Sequence, residues 1–268
     1  MTKLLTLGCS WIEGVGSMYD PKIHKTKKLF QNDSHDQELM AKNSFRTILS
    51  EKYGFENVNL GKGGASNGSM FRRMLTYLRK NTLDDTIVLW GITSIYRMEL
   101  FFNHSNRHLS FQPTQKAKTN LHGPDWIGPK EYFRQHFDEK VQLDHMICEI
   151  CHYQHYFELL GVPQLWIHTL NCPDERWLKK DAFQSFVKLP YPCNNDLLSQ
   201  LAYHNGWNPK DDKYHFSDWE ADCDRIEHLK KNKIVNPYSF HPTQKGHKQI
   251  AEILDAAVKE CYTNYKGV

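Results

Sequence analysis

The sequence has no long apolar run, no strong excess of charge of either sign and no paired arrangement of cysteines. Its 268 residues contain 34 lysines and arginines against 31 aspartates and glutamates, which gives a formal net charge of +3. So small and evenly spread a charge does not favour binding to nucleic acid or to an anionic membrane surface. The seven cysteines are odd in number and scattered, which argues against the disulfide framework of a small secreted domain.

Hydrophobic segments are short throughout the chain. None approaches the roughly 18 apolar residues of a membrane-spanning helix, and the N-terminal apolar segment 4–7 is shorter than the core of a secretion signal. These features predict a cytoplasmic protein with reduced thiols. Hydrophobic residues nevertheless make up 40% of the chain and aromatic residues 13%, which is typical of a folded globular protein rather than a disordered one.

The order of local patterns predicts an α/β fold. Four short apolar segments have the length and composition of strands: 3–7, 58–60, 86–91 and 164–168. Five segments carry apolar residues at helical spacing: 38–53, 70–78, 141–160, 217–231 and 243–262. Strands that alternate with helices favour an α/β sandwich around a mostly parallel sheet, whose ligand crevice lies at the carboxyl ends of the strands.

Two segments carry no sustained period and are predicted to be irregular insertions. They span about 94–137 and 171–215. Neither an internal repeat nor a low-complexity linker divides the sequence. The simplest division is therefore one domain over 1–268 that carries both insertions.

Four clusters contain residues that are suited to catalysis, and they follow predicted strands or precede the last predicted helix. They are Gly8-Cys9-Ser10, the glycine-rich segment 59–67 (NLGKGGASN), Trp90-Gly91-Ile92-Thr93-Ser94, and the segment 241–247 (HPTQKGH). A serine at a strand end is well placed for a nucleophile, and the backbone N–H groups of a glycine-rich turn can receive developing negative charge. A capping or turn serine and a tight strand-to-helix turn are the ordinary alternatives.

In their order along the chain, these clusters resemble the conserved blocks of the SGNH (GDSL-type) hydrolases, and they are similar to SGNH-like proteins of bacteriophage and bacterial genomes. The resemblance spans nearly the whole chain. It matches Ser10 to the nucleophile, Gly64 to the oxyanion-hole glycine and His241 to the base of a His-Pro motif. It implies a three-layer α/β/α sandwich with a flavodoxin-like sheet, and it implies ester hydrolysis.

Two positions depart from the family pattern. Thr93 stands where the family has an oxyanion-hole asparagine, although its hydroxyl can still donate one hydrogen bond. Tyr238 stands where the family has the aspartate that orients the histidine. The expected substitutes for this acid are a backbone carbonyl or one of three carboxylates in the preceding segment: Asp212, Asp218 and Asp222.

The predicted reaction is acyl transfer through a Ser–His dyad. His241 would accept the proton of Ser10, Ser10 would attack an ester carbonyl, and the N–H groups of Ser10 and Gly64, with the Thr93 hydroxyl, would stabilise the oxyanion. This chemistry requires no cofactor and no metal. The main alternative is a catalytically weakened protein of the same fold that binds a glycan or another small ligand. A metal-dependent phosphodiesterase is disfavoured because no cluster of carboxylates accompanies the histidines.

The expected substrate is a carbohydrate or small-molecule ester. Its candidate binding residues are Arg97, Asn67 and Trp90, with an ion pair or core packing as the alternative for such residues. Tryptophans in and beside the insertions could add flat walls for a sugar: Trp126, Trp177, Trp207 and Trp219.

One predicted helix carries a row of potential metal ligands: His145, Cys148, His152 and His155. A straight helix seldom supplies four tetrahedral ligands. These residues are therefore interpreted as the polar border of the helix, and no metal site is predicted.

Overall fold

A computed structural model describes residues 1–33, 36–102, 107–111, 129–170, 181–191, 195–208 and 219–267. Its six strands are β1 (Lys3–Gly8), β2 (Glu56–Asn59), β3 (Thr86–Ile92), β4 (Met98–Phe102), β5 (Arg107–Phe111) and β6 (Gln164–His168). Four of them form a parallel sheet in the order β2-β1-β3-β6. All four predicted strands are confirmed, and the predicted parallel α/β class is confirmed with them.

The helices of the first half are α1 (Ser10–Glu13), α2 (Lys27–Asp33), α3 (Gln37–Asn43), α4 (Phe45–Tyr53), α5 (Asn67–Leu78) and α6 (Pro129–His136). Those of the second half are α7 (Glu139–Leu159), α8 (Asp181–Gln184), α9 (Leu197–His204), α10 (Trp219–Lys231) and α11 (Gln244–Lys266). Within the described residues, no helix combines the length and the apolar character needed to cross a membrane.

Two separate hydrophobic clusters cover the two faces of the sheet, because successive strand residues point to opposite sides. On one face, Leu5, Val88 and Trp166 pack with α5 and α7. On the other face, Leu4 and Leu89 pack with α4, α9 and α11. The sheet therefore lies between two helical layers, as the three-layer prediction requires.

The predicted helix over 38–53 is two helices, so that prediction is wrong in one respect. Ser44 has an extended backbone and separates α3 from α4. Its side chain accepts a hydrogen bond from the Thr47 N–H and so caps α4. An apolar period that continues across such a cap hides the break, since the period records burial and not backbone direction.

Both strand ends that contact α1 are glycines. Gly8 of β1 pairs in register with Gly91 of β3. A Cβ built on either glycine would lie 2.4 Å from Cγ1 of Ile12, so both positions must lack one for α1 to pack against the sheet. This close approach carries Ser10 to the carboxyl edge of the central strands.

The predicted insertions contain regular structure where the structure describes them. In the first, β4 and β5 form an antiparallel hairpin and α6 follows it, so the irregular character expected for this segment is corrected. In the second, α8 and α9 are helical. Five-residue strands and four- to eight-residue helices are too short to produce a sustained period in a sequence. The division into one domain with two insertions stays a prediction.

Candidate active site

Two predicted site residues from opposite ends of the chain meet at the sheet edge. Ser10 is the first residue of α1, directly after β1, and His241 precedes α11. The Ser10 Oγ lies 2.7 Å from the His241 Nε2. This is the distance at which an imidazole accepts a hydroxyl proton, as a serine nucleophile requires.

The other nitrogen of the same imidazole is also held. The His241 Nδ1 lies 2.8 Å from the Ser239 Oγ, and that hydroxyl lies 3.0 Å from the Asn236 Oδ1, to which it donates. Because the Ser239 proton is used on Asn236, its oxygen is left to accept the N–H of the imidazole. The arrangement selects the tautomer with the proton on Nδ1, which leaves Nε2 to accept from Ser10.

Asn236 organises the turn that carries the histidine. Its Oδ1 accepts the backbone N–H groups of Tyr238 and Ser239 at 3.1 and 2.8 Å, and its Nδ2 donates to the His241 carbonyl at 3.0 Å. Phe240 adopts a positive φ of 58° inside this turn. A strained backbone of this kind persists only when surrounding contacts hold it, and here the Asn236 contacts hold Ser239 and the backbone of His241.

The electrostatic setting keeps His241 neutral. Burial and, to a smaller extent, the positive charge of Arg97 together lower the pKa of His241 to about 4. Among the described residues, no carboxylate beside Nδ1 opposes this shift, and the uncharged Ser239 hydroxyl lies there instead. The imidazole is therefore in the basic form at neutral pH, as a proton acceptor must be.

The glycine-rich loop after β2 lies against the turn that holds Ser10. The Lys62 N–H donates to the Gly8 carbonyl at 3.0 Å, which ties the loop to the end of β1. Gly64 is exposed and has a left-handed backbone with a φ of 72°. The residue predicted as an oxyanion donor thus sits in a loop that is bonded to the strand preceding the nucleophile.

The Asn67 carboxamide is hydrogen-bonded to the backbone of Thr93. The Thr93 N–H donates to the Asn67 Oδ1, and the Asn67 Nδ2 donates to the Thr93 carbonyl, both at 2.9 Å. The same Nδ2 also approaches the Met146 sulfur at 3.2 Å. The carboxamide of Asn67 therefore holds the end of β3, and its role in substrate binding stays a prediction. The Thr93 hydroxyl, by contrast, is buried without a hydrogen-bond partner in the described part of the chain.

Trp90 is misassigned by the sequence prediction. It has no exposed surface, and its ring stacks on Trp166 with centroids 4.7 Å apart. Tyr153 and Phe157 cover the rest of it from α7. A strand residue that points into the sheet–helix core cannot contact a substrate at the strand end, so Trp90 is a packing residue.

Arg97 lines a cavity of about 440 Å³ beside the end of β3. Its Nη1 is buried and has no hydrogen-bond partner among the residues that the structure describes. Asn67, Ile95, His145 and Met146 contribute to the same cavity wall. A buried guanidinium nitrogen without a partner is costly, and it is a donor that a bound molecule can use.

Several other expected residues lie outside the described part. Asp212, Asp218, Trp126 and Trp177 fall in undescribed segments, and the side chains of Asp222 and Trp219 are not described either. Trp207 is partly buried against the core and meets His228 edge to face at 5.3 Å. Among the described residues, no group of three or more His, Cys, Asp or Glu side chains is arranged to hold a metal ion.

Two residues that matter in this geometry were missed by the sequence analysis as site residues. Ser239 lies two residues before His241, and its hydroxyl was the available signal for an acceptor at this position. Glu13 lies three residues after Ser10, and its carboxylate accepts the Gly63 N–H at 2.5 Å. A glutamate inside an otherwise buried segment was the signal there.

Comparisons with known proteins show similarity at the level of structure. No protein-family model and no curated protein matches the sequence. Solved structures do match. One is a G-D-S-L family protein from Desulfitobacterium hafniense that is described as lipolytic, at 10% identity and a TM-score of 0.44, over 94% of this chain and 97% of that one.

Two further structures match over 97% of this chain. The psychrotrophic esterase EstA from a Pseudoalteromonas species matches at 12% identity and a TM-score of 0.47, over 98% of its length. A carbohydrate esterase, reported to have divergent catalytic and non-catalytic binding functions at its active site, matches at 8% identity and a TM-score of 0.44, over 65% of its length. All identities are low and all TM-scores are below 0.5, so the function of this chain is inferred from its own geometry.

Proposed function

We propose that this protein is a serine ester hydrolase of the SGNH type, which removes or transfers an acyl group from a carbohydrate or small-molecule ester. The observation that carries the proposal is the contact of 2.7 Å between the Ser10 Oγ and the His241 Nε2, with Nδ1 held by Ser239. This geometry supports Ser10 as the nucleophile, His241 as its base in the required tautomer and Ser239 as the residue that orients the base.

The proposed reaction begins with transfer of the Ser10 proton to the His241 Nε2 while the Ser10 Oγ bonds to the ester carbonyl carbon. The carbonyl oxygen becomes an oxyanion, for which the N–H groups of Ser10 and Gly64 are the proposed donors. The Thr93 hydroxyl, buried without a partner in the described part, is a third candidate. The tetrahedral intermediate then expels the alcohol, which takes the proton from Nε2.

Deacylation repeats these steps with water as the nucleophile. His241 accepts a proton from the water, the hydroxide adds to the acyl carbonyl, and the Ser10 oxygen leaves with that proton. An alcohol in place of water would give acyl transfer instead of hydrolysis. The neutral Ser239 stabilises the transient imidazolium less than a carboxylate does, so we expect a slower enzyme than one with a full triad.

Arg97 is proposed to bind the substrate. Its unpartnered Nη1 borders the cavity, and its charge acts on His241, which supports a position close to the reacting groups. The guanidinium would donate to an oxygen of the acyl or alcohol portion. Removing such a donor should raise KM for substrates that carry an acceptor there and leave esters without one unaffected.

Turnover of short-chain 4-nitrophenyl esters tests the proposal. The wild-type protein should release nitrophenol with saturation kinetics, and the Ser10→Ala and His241→Gln variants should each lose at least about 99% of kcat. Thermal unfolding of the variants would show that the loss is not a loss of fold. Full activity in Ser10→Ala would refute the proposal.

A second function is favoured by the replaced catalytic positions. In the part of the chain that the structure describes, no carboxylate contacts the His241 Nδ1, and the Thr93 N–H is occupied by Asn67. A protein of this kind could retain the crevice and bind a glycan or small ligand without turnover. Wild-type protein that binds an oligosaccharide but hydrolyses none of its acetyl esters would support this function over the first.

A further inference from the structure

Glu13 lies on the same short helix as the proposed nucleophile. It is the last residue of α1, which begins at Ser10, and only 4% of its surface is exposed. Its carboxylate points to the loop after β2, where Oε2 accepts the Gly63 N–H at 2.5 Å. The next residue in that loop is Gly64, the proposed oxyanion donor. One side chain thus joins the nucleophile's helix to the loop that faces it.

The loop also packs directly on the Glu13 backbone. A Cβ built on Gly61 would lie 2.8 Å from the Glu13 N and 3.0 Å from its Cα, which only a glycine avoids. On the other side, the Lys62 N–H is bonded to the Gly8 carbonyl at 3.0 Å. Three successive loop residues therefore contact the β1–α1 turn, and the Glu13 carboxylate is the one side chain that accepts a backbone N–H among these contacts.

The buried carboxylate is compensated without a close ion pair in the described part. The Gln37 Nε2 donates to Oε1 at 3.2 Å, so each carboxylate oxygen accepts one hydrogen bond. The Arg46 guanidinium donates to the Glu13 carbonyl at 3.0 Å and brings a positive charge to the same helix. Burial lowers the pKa of Arg46 to about 10, and the negative charge of Glu13 opposes that shift.

A buried charge is costly when a neutral group would fill the same space. Gln37 and the Gly63 N–H each donate one hydrogen bond to the Glu13 carboxylate, and Arg46 donates to its backbone carbonyl. If packing were its only role, an apolar side chain at this position would serve equally well. The arrangement is explained if the acceptor must hold a particular backbone N–H in place.

We propose that Glu13 is a positioning residue for the ester hydrolysis, which fixes the Gly63–Gly64 backbone relative to Ser10. This inference rests on the proposed function. Glu13 does not touch the reacting atoms; it holds the loop so that the N–H of Gly64 faces the oxyanion formed at the Ser10-bound carbonyl. Its loss should therefore lower kcat and leave the ground-state affinity for the ester nearly unchanged.

Two substitutions that keep the size of the Glu13 side chain distinguish the effect of its hydrogen-bond acceptor from the effect of its charge. Glu13→Gln keeps an oxygen that can accept the Gly63 N–H, whereas Glu13→Met keeps the length of the side chain and removes the acceptor. With 4-nitrophenyl acetate we expect Glu13→Gln to stay within about threefold of wild-type kcat and Glu13→Met to lose about 100-fold, the scale of one lost oxyanion donor. KM should change by less than about threefold in both.

Gln37→Met is the matched control. It removes the other hydrogen bond to the same carboxylate and leaves the contact with Gly63 intact, so kcat should remain within about twofold of wild type. If Glu13→Met does not fold, Glu13→Asp replaces it, since the shorter side chain keeps the charge near Arg46 but withdraws the acceptor from Gly63. Hydrogen exchange of the 61–64 amides should rise in whichever variant loses the contact.

Full wild-type kcat in folded Glu13→Met or Glu13→Asp, with faster exchange of the loop amides, would overturn the proposal. So would equal losses of kcat in Glu13→Gln and Glu13→Met, because that result would assign the effect to charge or fold. Reaction of the wild-type protein with a fluorophosphonate keeps the two proposals apart. An unlabelled wild type contradicts the ester hydrolase itself, whereas a labelled wild type with an unaffected Glu13→Met contradicts only the role of Glu13.

Discussion

The His241 Nδ1 lies 2.8 Å from the Ser239 Oγ, so an uncharged hydroxyl stands beside the histidine of the proposed dyad. The hydroxyl donates its own proton to Asn236 and can only accept from the imidazole. This fixes the ring orientation and tautomer without supplying negative charge. In the proposed dyad, Ser239 can therefore orient the imidazole as a triad carboxylate does, but it stabilises the imidazolium much less.

Removal of the Ser239 hydroxyl should slow the reaction without unfolding the protein. In Ser239→Ala the buried Nδ1 loses its acceptor, which costs about 1 to 3 kcal/mol and corresponds to a decrease of roughly 5- to 150-fold in kcat. Steady-state kinetics with 4-nitrophenyl acetate measures this effect. Ser50→Ala is the control, since Ser50 is a buried serine of α4 whose hydroxyl has no partner in the described residues. An unchanged kcat in Ser239→Ala would contradict the orienting role.

The acid limb of the pH dependence of kcat/KM should lie at a pH far below the usual pKa of histidine. Because burial and Arg97 lower the pKa of His241 to about 4, the free enzyme should keep its base down to that pH, and kcat/KM should fall only below it. Arg97→Leu removes a positive charge that disfavours the imidazolium, so the acid limb should move to higher pH. Arg79→Leu, at an exposed position, should leave it in place. A wild-type limb near pH 6.5 would contradict the buried setting of the imidazole.

Gly16 packs against the backbone that carries the histidine. Its φ is 93°, and a Cβ there would lie 2.5 Å from the Pro242 carbonyl oxygen and 2.8 Å from the His241 Cβ. Gly16→Ala should displace the imidazole and lower kcat by at least about tenfold, since small misplacements of a catalytic group are costly.

Gly54→Ala provides the comparison for that substitution. Gly54 also has a positive φ, of 68°, but no atom lies within 4 Å of a Cβ built there. Each variant should lose about 1 kcal/mol of unfolding free energy from backbone strain, Gly16→Ala should lose more because its Cβ meets the Pro242 carbonyl, and only Gly16→Ala should lose activity. Equal kcat values in the two variants would show that Gly16 does not position His241.

Stability should decline between about pH 6.5 and pH 4. Burial lowers the pKa of His168 and of His247 to about 3, and it lowers that of His241 to about 4. The unfolded chain therefore binds protons near pH 6.5 that the folded protein excludes, and the free energy of unfolding falls as the pH drops by up to about 1.4 kcal/mol per pH unit for each histidine. The full contribution of these histidines to stability is present above the pKa that they have in the unfolded chain.

Urea unfolding at pH 7, 6 and 5 measures that dependence. The His247→Leu variant should show a shallower slope by about one proton, because burial keeps His247 neutral in the folded protein down to about pH 3, whereas it binds a proton near pH 6.5 in the unfolded chain. An identical slope in the variant would mean that His247 titrates normally in the folded protein.

The fold and the central pair were predictable because their signals are local. Apolar segments of strand length define the sheet, and the strand-end positions of Ser10 and the segment before α11 follow from chain order. The parallel sheet then brings such positions to one edge. The contact between the two side chains agrees with that expectation.

The differences concern side-chain environments, which a single sequence does not record. Trp90 stands in a strand-end motif, but the alternation of the strand turns it into the core. Asn67 lies in the predicted loop and is bonded to the Thr93 backbone across 26 residues. A backbone carbonyl or one of three carboxylates was expected beside the histidine; the side chains of these carboxylates lie outside the described part, and a turn organised by Asn236 places the Ser239 hydroxyl beside Nδ1. The outcomes for Trp90 and Asn67 depend on tertiary contacts, and that for Ser239 depends on the conformation of a local turn.

Covalent labelling with a fluorophosphonate, followed by mass-spectrometric mapping of the modified peptide, tests the central claim most directly. The wild-type protein should gain one phosphonyl group on Ser10, and His241→Gln should react at least about 100 times more slowly, because the reagent requires a serine activated by its base. Labelling of another residue, or labelling of Ser10 at the same rate when His241 is replaced, would contradict the account.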